Sequence, residues 1–282
     1  MDFFLNFTSP TSQENLKIKE LSFKQLRALN KFLHNKDNSA ICQCFEKILN
    51  ENIINYKNNL NLNCYDKFCA LILLRLASIA PEIEIKKNNT TKKINLLPFY
   101  SQITALTFKT IDNIEENNIK IKFSLPKQLF LENIFLSFSS MIDEIQIENN
   151  KPINFQQLTQ EEKQLLFDKL PATIVEKIYA YKQHVETEFK AIIFNIDEEN
   201  NVELSPFNTS LFEILKVLFF TDLKSLYDIQ YMLVSKVNYT PEYLDENTLL
   251  ENIILMNNYS DEMAKVNNET KKALDVGRPA NK

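Results

Sequence analysis

The stretch LNCYDKFCALILLRLASIAPEIEIK, residues 62–86, carries two structural rhythms divided by one proline. Up to Ile79 it is apolar nearly all round, through Phe68, Leu71, Ile72, Leu73, Leu74, Leu76 and Ile79. A helix of that kind is covered on most sides, so the pattern predicts the central helix of a domain over Cys64–Ile79. Asn63 stands where an N-cap belongs, and Pro81 stops the helix. After Pro81 the period drops to two. Glu82-Ile83-Glu84-Ile85-Lys86 alternates strictly, as a half-buried strand does.

Working outward, both rhythms recur in blocks. Before the central helix, Ser22 reads as an N-cap ahead of Phe23, Leu26, Leu29 and Phe32-Leu33, which share one helical face. A second helix is expected over Ser39–Ile54. Residues 1–16 read as an extended or irregular arm bearing Phe3, Phe4, Leu5 and Phe7. Beyond Pro81, Ile119-Lys120-Ile121-Lys122-Phe123 alternates again, and Phe130–Phe138 and Ile142–Ile147 are further strand candidates. A helix near Pro98–Phe108 interrupts them. From Leu158 the helical period returns. Thr159 with Glu162 makes a capping box, Pro171 opens the next helix, and Ser210–Val234 is apolar with a break near Thr221-Asp222. Phe189–Ile196 fits a helix end or a strand. A final helix ends around Asn268.

The expected fold class is therefore α+β. An N-terminal arm and helical region (1–80) leads into a small antiparallel β-rich region (81–156). A C-terminal helical region (157–268) and a flexible tail (269–282) follow.

The 282 residues include one glycine, Gly277, close to the C-terminus. Phosphate-cradling loops, dinucleotide-binding turns and the nucleophile elbow of α/β hydrolases all need backbone without a Cβ inside the fold. None of them fits between Met1 and Val276, so the chain reads as an interaction protein rather than an enzyme, with no cofactor expected. Asparagine makes up about one residue in eight, well above ordinary usage, as the codons of an AT-rich genome favour. Asn tolerates left-handed backbone, so Asn88-Asn89, Asn117-Asn118, Asn149-Asn150 and Asn200-Asn201 can punctuate where glycine usually does. A net charge of −5 gives no reason to expect nucleic acid as a partner. No run of 18 apolar residues spans a membrane, and four cysteines make no disulfide scaffold, which together read as an intracellular, reducing setting.

Candidate chemistry is sparse. Cys42, Cys44, Cys64 and Cys69 are four soft ligands in a short stretch, but both pairs lie in helical patterns. Residues i and i+2 point about 200° apart on a helix, so Cys42 and Cys44 chelate one ion poorly, and buried thiols are expected with no metal site. A Cys/His hydrolase using Cys64 or Cys69 with His34 or His184 is the rival from another class. Lys86-Lys87 and Lys92-Lys93 flank a turn, a third candidate as a basic contact tip. Asp66 and Arg75 lie in the most apolar helix, where an unpaired charge is costly. Structural ion pairs are expected for both, with Asp66 or Glu82 as partners for Arg75. Phe3, Phe4, Leu5 and Phe7 either pack back as an edge strand or dock on a neighbouring subunit.

Two motifs carry a family likeness. Leu21-Ser22-Phe23-Lys24-Gln25 fits L-[ST]-F-K-Q. Leu62-Asn63-Cys64-Tyr65-Asp66-Lys67-Phe68 fits L-N-x-x-D-K-F and leads into Leu74-Arg75-Leu76-Ala77-Ser78-Ile79, which fits L-R-x-x-S-I. In these segments, and more loosely in Pro206–Tyr231, the chain resembles the T4-like bacteriophage baseplate hub protein family. The resemblance implies a non-enzymatic hub component of a contractile tail baseplate, located in the virion and in host cytoplasm during assembly, with other baseplate proteins as partners. It equally implies, as an alternative, a hub assembly chaperone that does not stay in the virion.

Overall fold

The computed structural model describes residues 4–54, 62–88, 90–105, 113–127, 129, 139–148, 150–189, 191–197 and 201–276. The chain is α+β, with helices toward both ends and small antiparallel sheets between and beside them.

It begins with a hairpin, β1 (Phe4–Thr8) paired with β2 (Asn15–Lys19) in the register Phe7↔Leu16 and Leu5↔Ile18. Of the two expectations for the arm, extended or irregular, the extended one holds over Phe4–Thr8. The signal lies in Asn15-Leu16-Lys17-Ile18-Lys19, which alternates and buries Leu16 and Ile18. The hairpin turns without glycine, with Gln13 left-handed at φ 59° and closed by Gln13 N–H to Ser9 O and Ser9 N–H to Glu14 O, both 2.9 Å.

Helices α1 (Phe23–Asn35), α2 (Asn38–Asn52) and α3 (Cys64–Ser78) follow. Ser22 caps α1 with a full capping box through Gln25, and Lys36 closes it in left-handed geometry. Asn63 caps α3 by accepting from Tyr65 N–H and Asp66 N–H, both at 3.0 Å. Strand β3 (Glu82–Lys87) pairs with β4 (Thr90–Asn95), and α4 (Leu97–Thr104) comes next. Then β5 (Ile114–Glu116), β6 (Ile119–Phe123), β7 (Ile142–Ile147) and β8 (Ile153–Asn154) form a four-stranded antiparallel meander. The strand expected over Phe130–Phe138 lies outside the described residues.

The C-terminal part holds α5 (Gln160–Phe167), α6 (Ala172–Glu188), α7 (Leu211–Phe219), α8 (Leu223–Val237), α9 (Pro241–Glu246) and α10 (Leu249–Val276). Between α6 and α7 sits another hairpin, β9 (Ile192–Asn195) with β10 (Asn201–Leu204), so of the segment Phe189–Ile196 the start caps α6 and Ile192–Asn195 is strand. Helix α10 continues eight residues past Asn268, correcting the expected helix end. The asparagine reading holds at Asn88, Asn117 and Asn118, with φ of 46°, 50° and 63°. At the β7–β8 turn Glu148 is left-handed, at φ 54°, while Asn89, Asn149 and Asn200 lie outside the described residues.

Two cores result. The larger gathers Phe7, Leu16 and Ile18 of the hairpin, the inner faces of α1, α2 and α7, and nearly all of α3. It therefore joins the first third of the chain to the last. The smaller packs Ile119, Ile121, Ile142 and Ile145 of the meander against Phe155, Leu170 and, on α6, Ile174 and Ile178. Phe123 and Tyr181, stacked at 3.9 Å, sit where the two meet.

Candidate interaction surfaces

The polar groups of α3 organise the N-terminal hairpin. The Thr11 hydroxyl donates to Asp66 Oδ2 at 2.6 Å, and Thr11 N–H donates to Oδ1 at 3.3 Å. Asn63 Nδ2 donates to the same Thr11 hydroxyl at 2.6 Å. Asp66 lies in the first turn of α3, where the helix dipole favours negative charge. Burial nevertheless raises its carboxyl above the usual aspartate range, against the opposing hydrogen bonds from Thr11 and Ser9. Arg75, half-buried in the last turn, donates from Nη2 to the Glu82 carbonyl at 2.8 Å, and burial lowers its guanidinium to about 10. These hydrogen bonds tie both side chains to neutral groups, where the sequence predicts charged partners.

The buried ion pair of this helix is one the sequence does not single out. Lys67 Nζ meets Glu46 Oε1 of α2 at 2.8 Å, with the Lys67 side chain 2% exposed and that of Glu46 33%. The available signal is a lysine inside the most apolar helix. Its partner, 21 residues away on another helix, leaves none.

The other sequence candidates take up distinct places. Cys64 and Cys69 are buried as expected, but Cys44 is half-buried and Cys42 exposed, and none of the four is in a disulfide. Burial pushes the Cys64 and Cys69 thiols well up, which keeps them protonated and weakly nucleophilic at neutral pH. Among the described residues no group of three or more His, Cys, Asp or Glu is placed to hold a metal ion. The His34 ring lies tilted against Phe220, with centroids 4.8 Å apart, and His184 is exposed on α6. Of the basic tip, Lys87 and Lys92 donate to the Asn201 and Asn195 carbonyls at 2.6 and 2.8 Å, so they fasten β3–β4 to β9–β10. In the arm, Phe7 is fully buried, Leu5 is half-buried and Phe4 is 41% exposed, while Phe3 lies outside the described residues.

Two surfaces formed by described residues bear on binding. One is a polar groove of about 820 Å³ where β2, α1 and α2 meet the α9–α10 junction. Glu20, Glu51, Glu242, Asp245, Glu246 and Glu251 line it, against Lys19 and Lys24. Partial burial, and then the charge of Glu251, raise the Glu20 carboxyl. Beside the groove α1 is fastened to the C-terminal helices: Arg27 bonds to Gln230 and Asp245, and Phe23 N–H donates to Asn247 O at 2.6 Å. Its field favours cationic groups.

The second surface is aromatic. Tyr227 and Tyr231 lie four apart on α8 and so on one face, with Tyr231 71% exposed, and Phe220 and Tyr243 are exposed nearby in the chain. Arg27 and Lys31 lie over the Tyr227 ring at 5.7 and 6.0 Å. The i, i+4 tyrosine spacing is readable in the sequence, but its exposure depends on which face α1 and α10 cover.

Among the described residues no helix is long and apolar enough to cross a membrane. No curated protein and no solved structure matches the chain. The family model described as T4 bacteriophage base plate protein matches residues 3–211, from the N-terminal hairpin to the start of α7. That span is well over half of the 282 residues and includes both motif segments, the whole meander and most of the larger core, so the chain belongs to the T4 bacteriophage base plate protein family.

Proposed function

We propose that the chain is a structural subunit of the baseplate hub of a contractile tail, and that it works by holding neighbouring baseplate proteins rather than by catalysis. The family supports a structural baseplate role. The observation that carries the binding reading is the set of exposed aromatic side chains in the C-terminal helical part, Tyr227, Tyr231 and Tyr243 on helices and Phe220 at the end of α7. Large amphipathic rings at the surface are costly to leave in water and are enriched at the centres of protein interfaces. Strand β1 adds a second contact, where Phe4 is exposed and Leu5 is half-buried. Phe7 is committed to the chain's own core.

Mass spectrometry of purified virions tests the reading. A hub subunit is found there at fixed copy number and during assembly in the host cytoplasm. Presence in infected lysate but absence from virions would identify an assembly chaperone instead, and would overturn the structural-subunit reading.

A further inference from the structure

We propose that the outer half of α10 forms a coiled coil with a helix of another protein whose flanking positions carry Lys or Arg. Three observations carry this. First, Leu249, Asn252, Met256, Tyr259, Met263 and Val266 follow one another at spacings of 3, 4, 3, 4 and 3, the heptad rhythm of a two-helix seam. Second, the seam changes surroundings along its length. Leu249 and Asn252 are buried in the fold, Met256 and Tyr259 are half-covered, and Met263 and Val266 are 40% and 53% exposed. Residues 261–270 are exposed all round, so about 15 Å of helix stands clear of the body with its apolar stripe intact. Isolated helices of that length are marginal in water and gain their stability from packing.

Third, the charges beside the stripe choose the occupant. Glu262 and Glu269, seven residues apart, lie on one flank, and Ser260 and Asn267 lie on the other. A second copy gains nothing from this arrangement. Run antiparallel, it sets glutamate rows against each other. Run parallel, it sets Glu262 against asparagine. A helix with basic flanks gains an ion pair at each heptad and keeps the register. Helix α10 also lies wholly outside the family match over residues 3–211.

This inference deepens the reading of the chain as a binding subunit, but its test is independent of virion location. Two synthetic peptides of three heptads serve as probes, both with Leu at the seam, one with Lys and one with Glu at the flanking positions. Titration of the full chain is expected to show binding of the Lys-flanked peptide alone. The M263S/V266S variant keeps every charge and is expected to bind about tenfold more weakly or worse, with an unchanged melting temperature. The E262K/E269K variant is expected to prefer the Glu-flanked peptide. Equal binding of both peptides would overturn the proposal, as would unchanged binding in M263S/V266S. A dimer of the chain itself that M263S/V266S dissociates would overturn it too.

Discussion

Helices α3 and α10 are both built from apolar residues at close spacing, yet the fold uses them in opposite ways. In α3, 15 residues long, Cys64 through Ile72 are all buried, and even its lysine and aspartate point at partners within the chain. In α10, 28 residues long, burial fades after the first turns and the apolar stripe runs on into solvent. An apolar residue in α3 is explained by the chain's own core. Met263 and Val266 have no such explanation, and the face they form is matched to something outside.

The largest separation between the two helices should come from truncating their apolar side chains. Phe68→Ala, in the middle of α3, is expected to cost about 3–5 kcal/mol, readable as a lower denaturant midpoint. Val266→Ser in α10 should stay within about 0.5 kcal/mol of wild type. Similar losses at both positions would erase the distinction.

The charges of α3 give a finer contrast. Removing Glu46 strands the buried Lys67 ammonium, whereas removing Lys67 leaves a glutamate that can turn to water. Glu46→Ala is therefore expected to destabilise by about 2–3 kcal/mol, and Lys67→Met by less. Chemical denaturation of the two variants compares them, and the reverse order would mean that Glu46 is the confined partner. At the start of the same helix, Asn63→Ala removes the cap and its bond to Thr11. It should cost about 1–2 kcal/mol, measured the same way.

Asp66 gives the smallest effect and the one with a defined pH signature. Its folded carboxyl lies above the ordinary aspartate value, principally through burial. The folded state thus holds the proton more tightly than the unfolded chain does. The stability this residue contributes is fullest below about pH 4 and declines as pH rises through the raised folded value. Denaturation of wild type and Asp66→Asn between pH 3 and 7 should show wild type losing ground as pH increases. A difference that moves the other way would mean that the Thr11 and Ser9 hydrogen bonds outweigh burial.

What is legible in the sequence follows the range of the interactions. The caps at Ser22, Asn63 and Thr159 are readable because each is a side chain bonding to backbone two or three residues away. Strand β6 matches its expected limits because a strictly alternating run preceded by turn residues admits few registers. The N-terminal hairpin is harder to read, because the apolar cluster of Phe3, Phe4, Leu5 and Phe7 hides the alternation that would pair it with residues 15–19. The link from Glu46 to Lys67 and the fastening of Lys87 and Lys92 to β9–β10 join positions tens of residues apart or more, and no local pattern records them. The groove and the exposed tyrosines depend on how α1, α8 and α10 pack, so they too emerge only with the fold.

The contrast between the two helices can be measured directly by amide hydrogen exchange on the isolated protein and on assembled baseplates. Slow exchange is expected across α3 in both samples. Residues 261–270 of α10 are expected to exchange fast in the isolated protein and slowly in the baseplate, where a partner helix covers them. Equal exchange of residues 261–270 in the two samples would contradict the claim that this face is matched to a partner.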